Sequence, residues 1–198
     1  PLVATLTFND EPTQYLVGIV LRPGTSTATH GAIGRLRALF APLRAAFPAA
    51  RLRVRLDGGF TGNPLFDFLE AEGVEYVVGL ASNARLDKRV RRLLGRARMA
   101  SKVSGQSERR YGETRYAAKK WSHKRRIIMK AEVVRYPGRA PRDNPRFGVT
   151  NLPDPHPFVS DAIEKRDCAE KYRRMPHRIR PTGDTAAFDD FRARFFAE

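Results

Sequence analysis

An α/β fold with both antiparallel and parallel strands is what this 198-residue chain predicts, and three observations predict it. Two extended apolar stretches stand close together near the start and read as a hairpin. Farther on, two more strands are joined through a short helix, which implies parallel neighbours and a right-handed crossover. Stretches with apolar residues at steps of three and four alternate with stretches of period two, so helices and strands share the chain.

Leu2–Phe8 (LVATLTF) reads as the first strand and Tyr15–Leu21 (YLVGIVL) as the second. Asn9, Asp10, Glu11 and Pro12 form a polar turn between them, short enough for an antiparallel hairpin. Arg22-Pro23-Gly24 opens a Thr/Ser-rich loop. Ala32–Phe47 carries Ile33, Leu36, Phe40, Leu43 and Phe47 on one face of a helix, with Pro42 as a kink. Next comes RLRVRLDGGF, Arg51–Phe60. Leu52, Val54 and Leu56 alternate with Arg51, Arg53 and Arg55, the mark of a strand with one buried face. Asp57 ends the alternation and Gly58-Gly59 break it. A carboxylate at a strand tip beside a turn is placed to face a cleft. Asn63 is a candidate N-cap, Pro64 suits the first helical position, and Gly73 is a stop. Glu75–Leu80 (EYVVGL) is the strand that follows.

After Leu80 the chain turns basic. Asn83–Arg98 reads as an amphipathic helix with Leu86, Val90, Leu93 and Leu94 on one side. Ala100–Gly112 is polar and reads as loop. Arg115–Trp121 and Arg125–Val134 read as paired basic strands around Ser122–Lys124. Arg135–Arg146, rich in Pro, Gly and Arg, is a connector, and Phe147–Asn151 a short strand. A helix is expected from Phe158 to about Met175, with Pro176 stopping it. The tail Thr182–Glu198 places Phe188, Phe191, Phe195 and Phe196 among charges, as one amphipathic helix would.

The formal charge is +16 and the isoelectric point near 10.8. An excess this large points to a polyanionic partner, nucleic acid first and an anionic membrane surface a distant second. No apolar run approaches membrane-spanning length and no signal peptide is visible. The single Cys168 has no internal disulfide partner, which fits a reducing cytoplasm. The chain opens on Pro1 without Met, as a fragment or a processed product would. Arg85, Lys88, Arg89, Arg91, Arg92, Arg96 and Arg98 place positive charge along one helix, and Lys119, Lys120, Lys124, Arg125 and Arg126 form a second cluster around Trp121. Phosphate contacts by such side chains release counterions and give salt-sensitive, largely sequence-independent affinity. Trp121 has two equal readings: stacking on an unpaired base, or packing under the strand pair.

Three constellations bear on chemistry. Ile163, Arg166 and Glu170 share one face of the last expected helix. Asp57 and Glu170, distant in sequence, would suit phosphoryl transfer, where two divalent cations about 3.5–4 Å apart are held by clustered carboxylates. The blander readings are a solvated helix acid and a turn acid. The glycine turn Gly58–Gly62 could cradle a phosphate but lacks the Walker and dinucleotide spacings. Cys168 near His177 lacks an orienting partner for thiol catalysis, and His30, His123, His156 and His177 lack metal-ligand spacing.

The runs YLVGIVLRPGT, RVRLDGGF, GVEYVVGLASNARL and NPRFGVTNLP occur in an order that resembles the catalytic domain of bacterial insertion-sequence transposases of the DDE type, over roughly Pro1–Glu170. The resemblance implies a ribonuclease H-like mixed sheet, here lacking its first strand, with a basic mostly-β insertion subdomain. It implies a partial core over 1–82, the insertion over 83–146, the last core strand and helix over 147–176, and a divergent tail over 177–198. Asp57 matches the family's second acid. Arg166 and Glu170 match the Arg and Glu of its third-acid motif, while Ile163 stands where the family has Tyr and His177 where it has Lys. The first acid belongs to a strand upstream of Pro1. The family also implies Mg2+ or Mn2+ as cofactor, double-stranded DNA at element ends as partner, self-association in a synaptic complex, and a cytoplasmic, nucleoid-associated location with no membrane. The expected function is DNA transposition by a truncated copy whose turnover stays open. The alternatives are a non-catalytic DNA-binding remnant and, third, a nucleotide-binding α/β module.

Overall fold

A computed structural model describes residues 2–8, 13–21 and 23–153. The expected turn at Asn9–Pro12, the last helix with Arg166 and Glu170, and the tail lie outside these residues. The described residues form two compact units, the first containing residues up to 54 and 64–75, the second 55–63 and 76–153. The strands fall into two sheets, one of two strands and one of six.

In the first unit, β1 (Leu2–Leu6) and β2 (Tyr15–Val20) form the expected antiparallel hairpin, pairing Leu2 with Val20 and Leu6 with Tyr15. The register shifts between Ala4 and Thr5, a bulge-like irregularity that adds local twist. Helix α1 (Ala32–Ala46) holds Pro42 inside it and buries Phe40 and Leu43. Buried Phe8 packs edge-on against Tyr15 and Phe47, with ring centroids 5.8 and 5.7 Å away. Helix α2 (Asn63–Ala71) buries Leu65, Phe66 and Leu69, and its Phe68 stacks on Phe40 at 6.1 Å. Gly73 is the stop the sequence predicts. Its φ of 62° is positive, its N–H donates to the Glu70 carbonyl, and the Val74 N–H donates to Leu69. That pair of bonds is a Schellman end, which favours glycine at the left-handed position.

The six-stranded sheet runs in the order β3-β4-β8-β6-β5, with β7 paired to β6. Its strands are β3 (Arg53–Leu56), β4 (Glu75–Leu80), β5 (Glu108–Tyr116), β6 (Arg125–Val134), β7 (Arg142–Asp143) and β8 (Arg146–Thr150). Strand β8 lies between β4 and β6 and is antiparallel to both. The basic stretch after Leu80 therefore extends the sheet that contains β4. Along β3 the expected alternation is weak: Leu52 is buried, while Val54 and Leu56 are half-buried.

Helix α3 (Ala84–Ser104) is longer than the sequence pattern suggests. Asn83 caps it, its Oδ1 accepting from the N–H groups of Arg85 and Leu86 at 3.1 and 3.2 Å. Gly105 ends it with φ 70°. The expected loop over Ala100–Gly112 is instead the last turn of α3 and the start of β5. Ala97 and Ser101 continue the buried line of Leu86, Val90 and Leu94. The Ser101 hydroxyl donates to the Gln106 carbonyl and accepts from Arg135 Nε at 2.8 Å. The expected strand over Arg115–Trp121 is real only to Tyr116, and β5 instead begins at Glu108, in residues too polar for their own propensity to reveal it. It forms because it pairs in unbroken register with apolar β6, from Glu108–Val133 to Tyr116–Arg125. Gly112 lets α3 lie close over β5, since a Cβ there would stand 2.5 Å from Leu93 Cδ1. The core beneath α3 includes Tyr76, Val78, Ile127, Ala131 and Val149, all buried.

Candidate nucleic-acid interface and strand-tip acid

Asp57 follows directly on β3 and is exposed. Its Oδ1 accepts the Gly59 N–H at 2.8 Å and so caps a single 3-10 turn, Gly58–Phe60. Its Oδ2 has no hydrogen bond among the described residues. The turn is fastened to β4. The Thr61 hydroxyl lies 2.9 Å from both the Gly58 and Gly79 carbonyl oxygens. Gly79 lies tight against the turn, since a Cβ would come 3.0 Å from Gly58 N and 3.4 Å from the Asp57 carbonyl carbon. The strand-tip acid is thus an exposed turn residue with one of its carboxylate oxygens held. The amides of Gly59, Phe60 and Thr61 all donate inside this turn. A phosphate cradle needs such amides to point at the ligand, so the glycine turn does not offer one.

The arginines and lysines sort into two kinds. Arg85, Lys88, Arg91, Arg92 and Arg96 of α3 are exposed, and their side chains make no hydrogen bond or ion pair among the described residues. At about 100° per residue, Arg85, Lys88, Arg92 and Arg96 fall within an arc of about 80° spanning about 16 Å of helix. The buried line through Leu86, Val90 and Leu94 is on the far side. Arg91 stands about a quarter to a third of a turn from the stripe.

The second kind is engaged inside the fold. Arg89 donates from Nη1 to Thr114 Oγ1 at 2.8 Å and to the Arg115 carbonyl at 2.6 Å, and lies over the Tyr116 ring. Arg98 pairs with Asp143. Hydrogen bonding to Asp143 first, and its charge second, raise the Arg98 pKa from its ordinary value. Arg126 donates from Nε to Glu113 at 2.8 Å and from Nη1 to the Leu152 carbonyl at 2.6 Å. Arg125 is only 3% exposed, donates from Nη1 to Asn63 Oδ1 at 3.0 Å, and lies 5.7 Å from the Trp121 ring centre. The sequence grouped these four with the DNA-facing cations; folding gives each a partner of its own.

Trp121 is half-buried, with the Tyr116 ring edge-on at 5.7 Å. Lys119, Lys120 and Lys124 are exposed around it and make no side-chain bond among the described residues. The sequence offers Asn63 only as a candidate N-cap, whereas α2 begins at Asn63 itself and its side chain is engaged elsewhere. Its Oδ1 accepts from Ser122 N at 2.8 Å, Ser122 Oγ at 3.1 Å and Arg125. Thr61 and Gly79 were missed as well. Nothing local marks any of the three, because their partners are 18 to 62 residues away.

No helix among the described residues is long and apolar enough to cross a membrane. A family model described as transposase DDE domain group 1 matches residues 1–178. No curated protein and no solved structure matches the chain.

Proposed function

Because the chain belongs to the DDE-domain transposases, group 1, we propose that it serves DNA transposition as a metal-dependent strand-cleaving and strand-transferring protein. Asp57 acts as a ligand for a divalent cation, Mg2+ or Mn2+, and Glu170 as a second. The observation that carries this reading is Asp57 itself: an exposed carboxylate held by Gly59 through one oxygen, the other without a hydrogen bond among the described residues. A hard divalent cation takes oxygen donors of this kind, so the residue fits the family's cofactor. When bound, such ions activate the attacking oxygen and stabilise the leaving one at the scissile phosphate.

The protein's own residues supply position. Gly59, Thr61 and Gly79 fix the Asp57 turn. Arg85, Lys88, Arg92 and Arg96 take successive phosphates of double-stranded element-end DNA along α3, and Arg166 adds to them by resemblance. Synaptic self-association and a nucleoid-associated location complete the proposal.

The test is metal-dependent cleavage of a duplex with a nicked or hairpin end, with Asp57→Asn beside the wild type. The expected result is cleavage by the wild type and none by the variant, with equal DNA binding. Cleavage unaffected by Asp57→Asn overturns the assignment. A second reading, a DNA-binding protein without catalysis, is favoured by one observation: the α3 stripe lies wholly on one helix and needs nothing from Asp57. It predicts salt-sensitive binding with no cleavage by either protein.

A further inference from the structure

The loop that closes the β5–β6 hairpin carries free positive charge and is tied to the turn that carries Asp57. The chain turns tightly at Ala118–Trp121, where the Trp121 N–H donates to the Ala118 carbonyl at 3.0 Å. Lys119 and Lys120 occupy the two central positions of that turn, both exposed. Neither ammonium has a partner among the described residues, and neither has Lys124.

The loop is built rather than loose. Trp121 sits between the Tyr116 ring and the buried Arg125 guanidinium. Arg125 reaches Ser122 Oγ at 3.4 Å and Asn63 Oδ1 at 3.0 Å. Ser122 brings its N–H and hydroxyl to the same Asn63 oxygen. Two donors from the loop and one from the first residue of β6 thus converge on one amide oxygen, which lies six residues beyond Asp57 in the same compact unit. Thr61, between them, is anchored to Gly79. The chain itself therefore joins the two: Asn63 takes the hydrogen bonds of the hairpin loop, and two residues earlier Thr61 bonds the Gly58 carbonyl of the acid's turn. A pair of adjacent ammonium groups on a hydrogen-bonded turn attracts phosphate as point charges.

The geometry points to the Ala118–Lys124 loop as a phosphate grip, with Lys119 and Lys120 holding the DNA backbone next to the phosphodiester presented to Asp57. Asn63 is the positioning residue that keeps the grip in place. This rests on the proposed function and deepens it by naming the part of the surface that serves the reacting phosphate. The α3 stripe then holds the duplex more generally. Positioning by such contacts matters because small misplacements of a reacting group cost large factors in rate.

The experiment measures duplex affinity against salt, and metal-dependent single-turnover cleavage at saturating DNA. It compares wild type, the double variant Lys119→Gln/Lys120→Gln, Asn63→Ala and Asn63→Asp. Two lost phosphate contacts should lower the slope of log affinity against log salt by about 1.8. The double variant should also cleave at least about tenfold more slowly at saturating DNA. Asn63→Ala should resemble the double variant in both readouts, while Asn63→Asp, which keeps the acceptor, stays near wild type. A merely structural role would instead lower thermal stability and leave the salt slope alone.

An unchanged slope in the double variant overturns the grip, and wild-type behaviour of Asn63→Ala overturns the positioning role. If Asn63→Ala does not fold, the double variant and Asn63→Asp still decide. If the wild type binds but does not cleave, the catalytic reading fails by itself. The slope measurement then still decides the grip.

Discussion

Replacing Arg85, Lys88, Arg92 and Arg96 together by glutamine removes the exposed stripe of α3 and touches little else. None of the four has a side-chain partner among the described residues, and all four are exposed. Glutamine has nearly the helix propensity of arginine and lysine. The unfolding midpoint should therefore move little, since surface changes away from special features usually stay within about 0.5 kcal/mol each. Each cation that neutralises a phosphate contributes about 0.9 to the magnitude of the salt slope, so four contribute about 3.6. Between about 50 and 200 mM salt the wild type should then lose about 150-fold more affinity than the variant. Fluorescence anisotropy with a labelled duplex over that salt range reads the slope directly. Arg91→Gln is the internal control. It removes an equally exposed charge that stands off the stripe, and it should leave the slope within experimental scatter. Equal slopes for wild type and quadruple variant would refute the reasoning. So would an Arg91 effect as large as that of a stripe residue, since charge would then matter without position.

Gly79→Ala should fold yet disturb the Asp57 turn, because the new Cβ meets the Gly58 backbone at 3.0 Å, which cannot rotate away; DNA binding should persist while cleavage falls about tenfold or more. Arg126→Met should cost about 1–3 kcal/mol in urea unfolding, as it leaves the Leu152 carbonyl without its charged donor. Glu113→Gln should cost less than about 1 kcal/mol, since that carboxylate is 40% exposed. Equal costs for these two would place the energy in the ion pair instead. Arg98 has a raised pKa, so its contribution is complete below its ordinary value and is lost as pH rises from there through the raised one. Unfolding midpoints of wild type and Arg98→Gln should therefore stay parallel between about pH 6 and 10, and divergence in that window would contradict the assignment.

The local signals were strong where a single period dominates. The β1–β2 hairpin, strand β6 and the buried line of α3 follow from apolar spacing, and Gly73 ends α2 as its position predicts. They failed where a segment borrows its conformation. Glu108–Tyr116 is a strand because β6 pairs with it along its whole length, although the polar residues of its first half, Glu108–Gly112, point to loop. Arg142–Asp143 pairs with the end of β6 and is too short to carry a period.

An excess of positive charge, a run of arginine and lysine on one helix, and an acid at the end of a strand can all be read along the chain. These depend on composition and on spacing of a few residues, which local geometry converts into faces and tips. Tertiary structure alone decided which cations stay free and which are consumed. Arg89, Arg98, Arg125 and Arg126 meet partners brought in from 13 to 62 residues away, whereas Arg85 and Lys88 meet none among the described residues. It also decided that Asn63 joins the lysine-bearing loop to the Asp57 turn. A hydrogen bond depends on where two atoms end up in space, and one between residues 59 positions apart leaves no periodic trace along the chain.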